Sequence, residues 1–178
     1  MVRNSPSTYG GLTRFLHWAT ALAVLTALPL GVWISEMELS LDAIKYFGVH
    51  KSIGLVVLFL TLIRIVWHRI SPPPEILDTG GWKDRAARLV HRLFYGCLIL
   101  MPLSGWAASS ATGIDTVIFN VVTLPRIAPV SAKVETIGFA IHAALGMLLV
   151  ALIALHVAGA LYRTLVVKDR AIARMLRG

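Results

Sequence analysis

Four long apolar runs constrain this chain more than any other feature. Residues 15–34, 93–114 and 136–162 contain no Asp, Glu, Lys or Arg. A fourth run, 47–67, has only Lys51 and Arg64 near its ends, where long side chains can reach the headgroups. Crossing a bilayer takes about 20 mostly apolar residues. A helix is the natural form for them, because it satisfies its own backbone hydrogen bonds where no water is available. The expected fold is all-α and integral to a membrane: an up-down-up-down four-helix bundle. Its helices fall at about 15–34, 47–68, 91–112 and 136–163, in one domain over 1–178. The intervening stretches at about 35–46, 68–92 and 115–135 read as loops or surface helices. The apolar segment 117–122 is expected on the membrane surface or over the outer part of the bundle. The first run lacks an evident small-residue cleavage site, so it reads as a retained helix.

Composition agrees with the runs and removes several functions. Charged residues make up 15% of the chain, against about 25% in soluble domains. The net charge of +8 is not a nucleic-acid footprint, because the basic residues sit between the runs rather than on one face. Thirteen of the 17 Lys and Arg residues flank one side: Arg3, Arg14, Arg64, Arg69, Lys83, Arg85, Arg88, Arg92, Arg163, Lys168, Arg170, Arg174 and Arg177. The other side has Lys45, Lys51, Arg126 and Lys133. The positive-inside rule therefore puts both termini in the cytoplasm. The single cysteine, Cys97, rules out an internal disulfide, covalent c-type haem, and thiolate-built zinc or iron–sulfur sites.

The six histidines carry the chemistry: His17, His50, His68, His91, His142 and His156. One membrane histidine reads equally well as a hydrogen-bonded packing residue, but the set has order. His142 and His156 are 14 residues apart. On a helix they lie within about 40° of one another and about 21 Å apart along the axis. That puts one near each side of a hydrocarbon core about 30 Å thick. By depth, His17 pairs with His156 on the inner side and His50 with His142 on the outer side. Such pairs suit the axial positions of two non-covalent, low-spin haem irons. One turn after each comes a small residue (Ala21, Gly54, Gly146, Ala160), which leaves room for a flat macrocycle. Pro72 and Tyr95 hold the corresponding places after His68 and His91.

At these residues the chain resembles the bacterial cytochrome b-561 family, grouped with the di-haem membrane subunits of nickel–iron hydrogenases and formate dehydrogenases. The likeness rests on Arg14, Phe15, Leu16, His17 and Trp18, and on His50, Lys51, Ser52, Ile53 and Gly54. It continues through Arg64 and Pro72, Pro73 and Pro74, then His91, Tyr95, Pro102 and Gly105. It ends with His142, His156 and the tail from Lys168 and Asp169 to Arg174 and Met175. The resemblance implies two haem b groups, a bacterial inner membrane, and electron exchange with a quinone such as ubiquinone. Some members are implicated in passing electrons from superoxide to ubiquinone. Others are quinone-reactive anchors of larger dehydrogenases.

The remaining candidates have two readings each. His68 and His91, expected at the cytoplasmic boundary, are either interfacial polar residues or the rim of a quinone pocket that supplies protons. Arg64 either holds a haem propionate or quinone, or is ordinary snorkelling charge; Arg14 and Arg163 share that ambiguity. Trp18, Trp33, Trp67 and Trp106 fall near helix ends as an aromatic belt. Lys51 adjoins His50 and could attract a small anion such as superoxide. The outer segments, however, also carry Glu36, Glu38, Asp42, Asp115 and Glu135. The expected function is electron transfer across the bilayer between an outer-side donor, superoxide or a redox protein, and the quinone pool. The alternatives are a non-catalytic wiring and anchoring subunit of a periplasmic dehydrogenase or cytochrome complex, and a haem-free transporter or metal channel.

Overall fold

The computed structural model describes residues 1–38, 40–74 and 81–177, without the side chains of Leu41 and Asp42. The Asp42 carboxylate counted above thus lies outside the described residues. In chain order the elements are α1 (Gly11–Ser35), α2 (Leu41–Ile70), α3 (Trp82–Ala111), strands β1 (Thr116–Ile118) and β2 (Val122–Leu124), α4 (Ala132–Tyr162), a π-helical turn (Arg163–Val167) and α5 (Ala171–Arg177). Four helices are long and apolar enough to cross a membrane: Gly11–Ser35, Ala43–Ile70, Trp82–Ala111 and Ala132–Val167. Large apolar side chains such as Phe15, Leu22, Phe59, Met147 and Val150 stand exposed along them, as expected where lipid is the solvent.

α2 and α3 start earlier than hydropathy predicts, at Leu41 and Trp82 rather than 47 and 91. The added turns contain Lys45, Asp84, Arg85 and Arg88. Hydropathy marks where hydrocarbon begins, not where a helix begins, and a helix can run on into the headgroups. Ser40 caps α2 by accepting the Ala43 N–H at 3.2 Å. Asp84 is buried on α3, and Arg163 at the end of α4 lies 3.6 Å from it while also pairing with Asp169. Arg163 is thereby committed to two carboxylates, which removes it as a candidate for a propionate.

The segment 115–135 is neither a plain loop nor a helix. β1 and β2 form an antiparallel hairpin with Thr116 opposite Leu124. Its turn holds Phe119 and Asn120 at φ 46° and 58°, and the Val121 N–H donates to Ile118 O at 2.9 Å. Positive φ at both positions gives the turn a twist that matches the flanking strands. It is unusual for a phenylalanine. The Phe119 N–H donates to the buried Ser52 hydroxyl at 2.9 Å, which fixes the hairpin to α2 two residues beyond His50. The belt tryptophans are tied to the protein as well: the indole N–H groups of Trp18, Trp67 and Trp106 donate to Met175 O, Thr13 Oγ1 and Pro125 O.

α1 packs on α2, α2 on α3 and α3 on α4, whereas α4 has no extensive backbone packing against α1 or α2. What joins all four helices is a buried apolar layer of Val24, Val57, Cys97, Leu98, Leu149 and Leu152. Leu149 lies midway in sequence between His142 and His156, so this layer separates two histidine levels, called inner (His17, His156) and outer (His50, His142) after the expected topology. Toward the outer end, α3 and α4 touch closely: a Cβ added at Gly138 would stand 2.8 Å from Ala108 Cβ and 3.1 Å from its Cα. Backbone cannot give way as a side chain can. Gly138→Val is expected to destabilise the bundle by about 1–3 kcal/mol through overpacking, read as a lower thermal midpoint of the protein in detergent.

Candidate functional site

The structure brings the four histidines together in the two pairs that depth predicts. The ring centres of His50 and His142 are 6.0 Å apart, with their planes at 83°. Those of His17 and His156 are 6.2 Å apart, with planes at 48°. An imidazole nitrogen bonds a metal at about 2 Å, and the ring centre lies roughly 1 Å beyond it, so two rings gripping one metal from opposite sides have centres roughly 6 Å apart. Both pairs meet that spacing. Among the described residues no group of three or more His, Cys, Asp and Glu side chains converges as a metal-ion site. Opposed pairs with space between them suit a metal held in a planar macrocycle, not a bare ion.

Around the outer pair the lining is apolar. His50 and His142 line a partly open apolar pocket together with Val24, Val57, Leu98, Met101 and Leu149. Gly54, one turn after His50, also lines it, and a Cβ there would meet nothing within 4 Å. Gly146, by contrast, has the flexible Met101 Cε at 3.4 Å from its would-be Cβ. His142 Nδ1 is 2.9 Å from Met101 O. A carbonyl only accepts, so Nδ1 carries the proton and Nε2 is left free to bind a metal. Met101 precedes Pro102, which takes one donor out of the α3 ladder. His50 Nδ1 is buried, with the backbone of Ala27 as the hydrogen-bonding group beside its ring. These features fit haem b at the outer level.

The inner pair sits among polar groups. Arg64 on α2 is within electrostatic reach of His17, His68, His91, Tyr95 and His156. Its guanidinium lies 5.7 Å from the centre of the Tyr95 ring, and its Nε is buried without a hydrogen-bond partner. His68 is near the end of α2 as expected. Its Nδ1 is 3.2 Å from the Tyr95 hydroxyl, and its Nε2 is buried and unpartnered. His91 is not at the start of α3: the helix begins at Trp82, so His91 lies more than two turns in. It is the exposed member of the cluster, with its ring edge-on to His156 at 5.3 Å. Phe94 stands against His156 from the same helix at 5.5 Å.

Tyr95 is the site residue that the sequence did not single out for chemistry. Its link to His68 spans 27 positions across the connection between α2 and α3, and no local spacing encodes such a pair. On the outer side Lys51 adjoins His50, but Arg126 is paired with Asp115 at 3.0 Å. The outer face gains no broad positive surface from it.

Two glycines press on the outer pair. A Cβ at Gly31 would stand 2.8 Å from His50 Cε1, and one at Gly105 would stand 2.9 Å from both Cε1 and Nδ1 of His142. Gly31→Ala and Gly105→Ala are each expected to turn the neighbouring ring and alter the outer site alone. Low-temperature reduced-minus-oxidised spectra check this: the bands of a haem held by His50 and His142 should shift.

Comparison with known proteins agrees with the geometry. The family described as prokaryotic cytochrome b561 matches residues 8–178. Cytochrome b561 homolog 2 of Escherichia coli K12 is 31% identical over 182 aligned positions, covering 97% of this chain and 93% of that protein. Cytochrome b561 homolog 1 of the same organism is 26% identical, covering 91% and 93%. Cytochrome b562 of Cereibacter sphaeroides is 31% identical, covering 94% and 96%. With four apolar spans and near-complete coverage, the chain belongs to the prokaryotic cytochrome b561 family and is a multi-pass, electron-transferring membrane cytochrome of the b type.

Proposed function

We propose that this chain carries electrons across the inner membrane of a bacterium, between a donor on the outer side and the quinone pool, with two haem b groups. His50 and His142 hold one on the outer side, and His17 and His156 hold the other on the inner side. The observation that carries this reading is the pair of ring separations, 6.0 and 6.2 Å, at two levels 14 residues apart on α4. Haem b supplies a one-electron couple at each level. The chain's own residues do the rest. Met101 O fixes the His142 tautomer. Val24, Val57, Leu98 and Leu149 keep the space between the levels dry. The thirteen-to-four division of Lys and Arg supports cytoplasmic termini.

On the inner side, we assign Arg64, His68 and Tyr95 to quinone. Reducing a quinone takes up protons at its oxygens. His68 Nε2 is a buried, unpartnered nitrogen hydrogen-bonded through the far side of its ring to a phenol, suited to give a proton and regain one. His91, exposed beside His156, stands where a membrane-dissolved ring could approach. The outer donor is superoxide or a redox protein. One feature favours a second reading, a wiring and anchoring subunit docked to an outer partner: the hairpin tip displays Phe119 at 60% and Val121 at 81% exposure.

Purified protein should show two haem b per chain. His17→Ala or His156→Ala should remove the inner one, and His50→Ala or His142→Ala the outer one; a colourless protein would end the proposal. Tyr95→Phe and His68→Gln should keep both haems and slow quinol formation roughly 100-fold, the lower end of general acid–base contributions. Stopped-flow superoxide decay with added quinone separates the readings of the donor: no acceleration excludes superoxide, and a co-purifying outer partner favours the anchor.

A further inference from the structure

Six side chains among the described residues hold a buried nitrogen or oxygen with no hydrogen-bond partner, and five of those atoms are at the inner end of the bundle. They are Arg14 Nε, Arg64 Nε, His68 Nε2, Thr164 Oγ1 and Arg174 Nε. Buried polar groups are almost always partnered. An arginine nitrogen can only donate, so what is lacking here is an acceptor. Arg64 and His68 belong to the quinone reading above; Arg14 and Arg174 do not.

Both arginines stand where α5 meets the start of α1. Arg14 is three residues before His17 on α1, and its Nη1 donates to Leu176 O of α5 at 2.9 Å. Trp18 donates to Met175 O at 3.2 Å and rests edge-on against the His17 ring at 5.1 Å. Arg174, next to Met175, has its guanidinium 5.6 Å from the centre of the Tyr9 ring, in the tail that leads into α1. α5 is therefore folded back onto the start of α1, within one side chain of His17.

The fold goes to some lengths to put it there. α4 widens into the π-helical turn Arg163–Val167, a form frequent at functional sites. Lys168 and Arg170 then take left-handed conformations, φ 60° and 59°, which are uncommon for residues with a side chain. Between them Asp169 binds Arg163 and accepts the Ala171 N–H at 3.0 Å. Neither Arg14 nor Arg174 pairs with a carboxylate among the described residues.

We propose that Arg14 and Arg174 form an oxyanion site that clamps a propionate of the inner haem, so that the C-terminal helix α5 is a wall of the cofactor pocket. The inference rests on His17 and His156 being the inner axial pair. Two planar guanidinium forks match a carboxylate. Removing one leaves the propionate charge less compensated, which favours the oxidised iron and lowers its potential.

The test is a spectroscopic redox titration of the full-length protein in detergent. Arg174→Gln and Arg14→Gln should each lower the inner couple by about 59 mV, a tenfold change for one electron, and leave the outer couple in place. They should also speed transfer of the inner haem to apomyoglobin. Arg174→Lys should recover part of the potential, and Arg177→Gln, on the exposed side of α5, should change nothing. The same donors would suit a lipid phosphate. In that case Arg174→Gln leaves the inner potential and haem transfer as in the unaltered protein, and the clamp is overturned. If Arg174→Gln does not assemble, Arg14→Gln and Arg174→Lys decide by the same two readouts. An unaltered protein with a single haem, or His17→Ala protein that keeps both couples, overturns the inner-pair assignment itself.

Discussion

An imidazole in hydrocarbon must be partnered, and the architecture of this bundle follows from partnering four of them two by two. α1 stays against α2 and α3 against α4, while the faces of α1 and α2 that carry His17 and His50 look across a gap to α4. Ordinary helix packing would close that gap. It stays open because small residues line it, with Gly54 the clearest case, and because Val24, Val57, Leu98 and Leu149 brace it only at mid-depth. The same apolar layer that gives the bundle its core divides the inner level from the outer one.

The two levels are not alike. The outer pair is set in an apolar pocket and positioned by backbone: Met101 O holds His142, and Gly31 and Gly105 allow neighbouring helices to press on the rings. The inner pair lies near Arg64, His68, His91 and Tyr95, and α5 is tied to the start of α1 through Arg14 and Trp18.

Each end of the bundle is also finished differently. The outer end carries a hairpin pinned to α2 through Ser52 and to itself through the Arg126–Asp115 pair. The inner end is tied through Asp84, Arg163 and Asp169, with Lys83 bonded to the Tyr162 hydroxyl at 2.6 Å. That ionic knot turns the chain after α4 and delivers α5 to α1.

The sequence by itself determined the four spans and which histidines share a depth. These are properties of one helix at a time: length against bilayer thickness, and the rise and rotation per residue between His142 and His156. It did not reveal where α2 and α3 begin, because their first turns lie outside the apolar runs, nor the hairpin, whose turn places a phenylalanine at positive φ. Only the tertiary structure decided that His91 faces His156, that Tyr95 bonds His68, that Arg163 pairs with Asp84 and Asp169, and that Arg174 reaches the Tyr9 ring. Each of those depends on how two helices are rotated against each other, and packing between elements sets that rotation where no spacing within one element can.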